Sequence, residues 1–293
     1  MNVLSVAFPE PRSLDPLYLE GIFAYEIGEF GFSYLTTYDT SGAIVPDVAR
    51  EVPSVANGGI SADRKRIVYR LRHGVRWQDG VPLTSRDVLF TYWAVMNPRD
   101  AIASRYGFDR ISAVSAPDAY TVIVRTRAPY SPILSMFLGG DSNYPILPAH
   151  LLSRYASLDR VAFNGHPVGS GPYRFGRWVH GDRLTLFANP TYFAGRPAID
   201  RIDLRFVPDS SAITNELLTG EIDATFLADP AKIATMRQVP NHRVVVTPVH
   251  SGYSLDFNTA DPVIGDINVR RAFSLAIDRR GAVRKAFHGL YNS

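Results

Sequence analysis

Metal chemistry at a helix face needs two imidazoles three or four residues apart, and the seven histidines (His73, His150, His166, His180, His242, His250 and His288) never take that spacing. The sequence has no cysteine, so it offers no thiolate ligand, no cysteine nucleophile and no disulfide. "GSG" at 169–171 resembles the turn that exposes a catalytic serine, but that turn needs a glycine two residues before the serine, where this chain has Val168. Glu221 and Asp223 alternate, which puts both carboxylates on one face of an expected strand, where solvated acids are the simpler reading. No glycine loop follows a strand at the spacing that cradles phosphate. What remains is aromatic. Tyr18, Tyr106, Tyr144, Trp178 and Tyr253 lie in or beside expected loops, where rigid amphipathic rings can line a ligand cleft.

These side chains need a scaffold, and 293 residues with 46% hydrophobic content suffice for one large core or two moderate ones. Thirty-one basic against 28 acidic residues give a net charge of +3 with no like-charged block, which excludes a nucleic-acid footprint. Pro and Gly are spread along the chain, the mark of many short elements joined by defined turns. The N-terminal "MNVLSVAFPEP" has neither a basic region nor a long apolar one, and no apolar run approaches a membrane span. An export signal is therefore expected to be absent from this chain.

"VLSVAF" at 3–8 reads as a buried strand, and the spacing of Ile27, Phe30, Tyr34 and Leu35 predicts a helix over 24–38. Alternation in "RIVYRLR" predicts a strand with one buried face. Thr84 and Asp87 form a capping box for a helix over 85–96. "ISAVSAPDAYTVIVRTR" predicts two strands joined at Pro117–Asp118. Beyond 182, strands at 182–189, 198–208, 221–227, 242–249 and 253–259 are interleaved with helices at 210–220 and 230–238, the pattern of an α/β domain. Residues 266–287 predict one helix with Val269, Ala272, Phe273, Ala276 and Ile277 on an apolar stripe.

Taken in order, "SLDP" (13–16), "IVPDVARE" (44–51), "VYRLRHGVRWQDGVPLTSRDVLFTY" (68–92), "PVGSGPYRFGRWVHGDRLTLFANPTYFAGRPAIDRIDLRFVPD" (167–209), "LLTGEIDA" (217–224) and "FNTADPVIGDINVRRAFSLAIDRR" (257–280) resemble the peptide/nickel-type (family 5) extracellular solute-binding proteins of ABC transporters. Relatives usually carry Thr at the position of Ser170.

The resemblance implies an α/β, periplasmic-binding-protein-like fold (type II, cluster C), whose first lobe carries an inserted α+β subdomain and whose second lobe is largely missing here. Residues 1–45 and 165–262 would form the main sheet domain of lobe I, 46–164 the insertion, and 263–293 the start of a truncated lobe II. It implies no enzyme activity and no cofactor. A peptide or other small-molecule solute would be buried between lobes by hinge closure and handed to a membrane permease, the full-length form being a monomer in the periplasm or on the outer face of the membrane. Tyr18, Glu20, Gly21, Ile22, Tyr106 and Tyr253 align with segments that border the solute. Gly169, Ser170 and Gly171 would form a positive-φ turn at a crossing between subdomains, and Asn258 a structural position leading to the hinge. Peptides, nickel complexes, oligosaccharides and opines all occur on this scaffold. A single lobe serving as an interaction or scaffold module is the alternative.

Overall fold

The structure, a computed structural model, describes residues 1–18, 23–140, 142, 144–207, 209–226, 232–245 and 254–287. The chain divides into two compact units, Met1–Pro208 and Asp209–Ser293.

In the first unit the strands are β1 (Val3–Phe8), β2 (Thr36–Tyr38), β3 (Ile44–Pro46), β4 (Arg66–Arg70), β5 (Ile111–Asp118), β6 (Thr121–Thr126), β7 (Tyr173–Val179), β8 (Arg183–Ala188) and β9 (Arg201–Phe206). Its helices are α1 (Phe23–Gly31), α2 (Ser85–Met96), α3 (Ile133–Met136) and α4 (Ala149–Leu152). β1 runs parallel to β9, and β9, β8 and β7 follow as an antiparallel meander. β4, β6 and β5 make a separate antiparallel sheet on which α2 packs. The core between them is built on Tyr69, Trp77, Leu83, Val88 and Val122, all buried.

Local chemistry explains α2. The Asp87 Oδ2 accepts the Thr84 backbone N–H at 2.8 Å, while Oδ1 accepts the N–H of Ala149 at 2.9 Å. One carboxylate thus starts α2 and ties down the first turn of α4. At the other end Arg105 donates to the carbonyls of Val95 (2.8 Å), Asn97 (2.7 Å) and Asp100 (2.8 Å), closing acceptors that a helix end leaves open.

Several expectations change. The helix over 24–38 stops at Gly31, because tertiary partners claim the backbone beyond it. Tyr34 N–H donates to Asp47 Oδ2 and Leu35 N–H to the Leu138 carbonyl, each at 2.7 Å, and Thr36–Tyr38 pairs with β3. The hairpin turns at Ala119–Tyr120, two residues later than expected; Pro117 and Asp118 stay in β5, and the Asp118 carboxylate accepts the Tyr120 N–H at 2.8 Å. β4 is covered on both faces, since Val68 sits directly opposite Ile123 on the side expected to be open.

The second unit contains α5 (Ser210–Thr219), α6 (Ile233–Met236), α7 (Ile267–Ala276) and α8 (Arg279–Phe287). Asp209 caps α5 by accepting the Ser211 N–H at 2.8 Å, and Gly220, at φ 74°, ends it. Of the strand expected over 221–227, Ala224–Thr225 is extended, and the helix over 230–238 shrinks to the single turn of α6. Residues 242–245 and 254–259 form no strand; the rest of those two expected strands lies outside the described residues. The helix over 266–287 breaks in two. Ile277 turns extended (ψ 117°) and Asp278 starts α8 by accepting the Gly281 N–H at 2.9 Å.

Candidate functional site

At the Gly169–Gly171 segment two stretches of backbone come into direct contact. A Cβ on Gly169 would overlap the Gly31 carbonyl oxygen, and one on Gly171 would come within 2.6 Å of the Gly31 and Phe32 backbone. Gly171 N–H donates to the Gly31 carbonyl at 2.9 Å. Gln78 completes the contact: its backbone N–H donates to the Gly169 carbonyl (2.9 Å), its amide oxygen accepts the Gly169 N–H (3.2 Å) and its amide nitrogen donates to the Tyr173 carbonyl (2.7 Å). Asn189 donates to the Gly171 carbonyl at 3.0 Å, and Ser33 to that of Ser170 at 3.2 Å. The expected positive-φ turn is not what these glycines supply, because neither has a positive φ. They are glycines because two backbones touch there with no room for a side chain.

Tyr18 and Tyr106 flank one loop, 97–106. The Tyr18 hydroxyl donates to Asp100 Oδ1 at 2.7 Å, and burial, then that bond, pushes its ionisation far above the usual phenol range. Asp100 also accepts from Ser157 (2.6 Å), the Leu158 N–H (2.8 Å) and Asn97 (2.7 Å); burial opposes its charge, but these donors outweigh it and hold the carboxyl below the ordinary range. Tyr106 emerges from the same loop with 69% of its surface exposed. Glu20, Gly21, Ile22 and Tyr253 lie outside the described residues. Asn258 is exposed and shapes a turn, its side chain accepting the Ala260 N–H at 3.1 Å.

Sequence reasoning missed the buried acids around these residues. Asp15, in "SLDP", is fully buried: Oδ1 accepts the Leu17 N–H at 2.9 Å, while Oδ2 has no hydrogen-bond partner. Burial, with the charge of Asp100 adding to it, pushes Asp15 up to about 7 against the pull of the Leu17 amide. Asp47 is pushed up to about 6 by burial, against the Tyr34 amide and the Arg72 charge. Only Asp15 left a trace in the sequence, as the acid of an Asx turn before proline. Nearby, Arg50, Arg72, His73, Val75 and Phe193 line an open hollow of about 300 Å³ whose ionisable residues are all basic. The His73 ring there lies against that of Tyr120, their centroids 4.0 Å apart and their planes tilted by 39°.

The description "Bacterial extracellular solute-binding proteins, family 5 Middle" fits residues 43–293. The chain belongs to the family 5 bacterial extracellular solute-binding proteins. Protein XP55 of Streptomyces lividans is 30% identical over 291 residues, covering 98% of this chain and 50% of that protein. The oligopeptide-binding protein AppA of Bacillus subtilis is 28% identical over 285 residues, 96% of this chain and 50% of AppA. Among solved structures, NikZ from Campylobacter jejuni in complex with Ni(L-His) aligns at a TM-score of 0.84 with 27% identity, covering 98% of this chain and 55% of NikZ. AppA with a nonapeptide aligns at 0.82 and 25% identity, over 98% of this chain and 56% of AppA. The chain spans about half the length of the curated relatives it matches. The mixed α/β architecture is that of the type II periplasmic binding proteins of family 5, which bind solutes outside the cytoplasm and are not an enzyme family. Among the described residues no helix is long and apolar enough to cross a membrane.

Proposed function

We propose that this chain belongs to the solute-binding component of an ABC importer, which captures a peptide or similar solute between two lobes and delivers it to a membrane permease. The observation that carries this reading is the alignment of 98% of the chain with NikZ holding Ni(L-His) and AppA holding a nonapeptide. In this reading residues 1–45 and 165–262 form the sheet-bearing part of the first lobe, 46–164 its insertion, and 263–293 the beginning of the second. In support, β4, β5, β6 and α2 all fall within 46–164, whereas β1 and β7 to β9 fall outside it. Tyr18, Glu20, Gly21, Ile22, Tyr106 and Tyr253 border the solute. Tyr18 offers its ring, since its hydroxyl is committed to Asp100. Gly169, Ser170, Gly171 and Asn258 act as frame.

Binding energy comes from desolvating the solute among matched polar groups while hinge strands absorb the rotation, and nothing is chemically transformed. The protein works as a monomer on the outer side of the membrane. Isothermal titration of the whole gene product with peptides of increasing length and with Ni(L-His) tests this. Saturable heat with one of these classes is the expected result. No heat with any of them, together with self-association on a sizing column, would replace the transport reading with a scaffold one.

A further inference from the structure

The first unit holds a second cavity, built wholly from the 46–164 segment; none of the residues proposed to border the solute lines it, although its Tyr130 wall neighbours the Tyr106 phenol. Its volume is about 450 Å³, within the size range of small-molecule pockets, and Val55, Ile60, Ile67 and Leu134 supply aliphatic walls. Val55 is 57% exposed, so the hollow opens to solvent on that side. No acidic residue lines the cavity, and Arg64 is the only ionisable group there besides the Tyr130 phenol.

Arg64 combines an uncommon backbone with a free head group. It sits at φ 56°, in the left-handed region that a bulky side chain rarely adopts, at the tip of the turn joining Ile60 to its bridge partner Ile67. Among the described residues its guanidinium also has no ion pair or hydrogen bond. The neighbouring Asp63 carboxylate is taken by the Ser61 hydroxyl (2.6 Å) and the Lys65 N–H (3.2 Å). A left-handed turn thus holds an exposed guanidinium, unpaired among the described residues, beside an apolar hollow.

From this we infer a second binding site, in the 46–164 segment, for an amphipathic monoanion: an aliphatic carboxylate whose chain fills the hollow and whose head pairs with Arg64. A guanidinium suits a carboxylate because its planar fork donates two parallel hydrogen bonds. The aliphatic walls account for the chain and the cation for the head.

Decanoate displacing a dansylated undecanoate probe from the whole chain tests the site, with decanol as the neutral control. Decanoate is expected to compete saturably below millimolar concentration and at least about tenfold better than decanol. Arg64→Gly removes the cation and relieves the left-handed backbone; it should erase that tenfold preference without lowering Tm. Leu134→Trp, which fills the hollow, should abolish competition. Equal binding of decanoate and decanol, an Arg64→Gly protein that still prefers decanoate, or no competition below millimolar concentration would each overturn the assignment. If Leu134→Trp fails to melt cooperatively, the decanol comparison and Arg64→Gly decide. Failure here leaves the solute reading of the other residues intact, because none of them lines this cavity.

Discussion

Two helices that look alike on paper end in opposite circumstances. α2 and α7 both carry apolar residues at helical spacing, and both begin with an acid supporting the first turn, Asp87 in one and Asp266 in the other. α2 buries Val88, Tyr92, Ala94 and Val95 against β5, β6 and α4. α7 buries none of its residues, leaving Ile267 52%, Phe273 45% and Leu275 88% exposed. Helical periodicity specifies a face; the partner that covers it is specified elsewhere in the sequence. In the first unit that covering is so complete that carboxylates and bare backbone are enclosed with it.

The enclosed acid gives the largest expected effect. Asp15, ordinarily near 3.8, is raised to about 7 by burial, so its ionised form costs the folded state about 4 kcal/mol. Because the folded value lies above the unfolded one, the penalty is absent below pH 4, grows as pH rises, and is complete above pH 7. Asp15→Asn keeps an acceptor for the Leu17 amide and removes the charge. Thermal melts should therefore show the variant more stable than the parent at pH 8 and indistinguishable from it near pH 4. An equal difference at both pH values would mean that Asp15 is not enclosed as described.

Gly169→Ala comes next. Its Cβ has no space beside the Gly31 carbonyl, and chemical denaturation should register a loss of about 3 kcal/mol. A neutral result would show that the two backbones separate freely.

The third experiment is a matched pair that sharpens the helix comparison directly. Val88→Ala in α2 should cost about 2 kcal/mol, from lost burial and the cavity left behind. Leu275→Ala in α7 should shift stability by less than about 0.5 kcal/mol. Similar losses at both positions would erase the distinction between the helices.

The legible parts of the fold are those decided by neighbours in sequence. Val3–Phe8 declares itself by composition, and Ser85–Met96 by the Thr84–Asp87 pair, so both appear where the pattern puts them. The stretch from 32 to 38 reads as helix only in isolation. Asp47 and Leu138, distant in sequence, take its amides and redirect it. The break at Ile277–Asp278 is likewise hidden, since Asp278 suits a helix surface and a helix start equally well. Around the candidate site, Tyr18 could be picked out as an aromatic beside a loop, but its bond to Asp100 spans 82 positions and leaves no mark on spacing. The need for glycine at 169 and 171 is visible in the sequence, while its cause is not: the string suggests a dihedral requirement, and the structure shows a steric one.

That steric cause has a mechanical corollary. Side chains interpose compliant padding between segments and can absorb a displacement by changing rotamer. Where the end of α1 at Gly31 meets the loop at Gly169 and Gly171, no side chain of these three residues lies between the backbones. The contact therefore sets the spacing of the two segments by backbone dimensions alone.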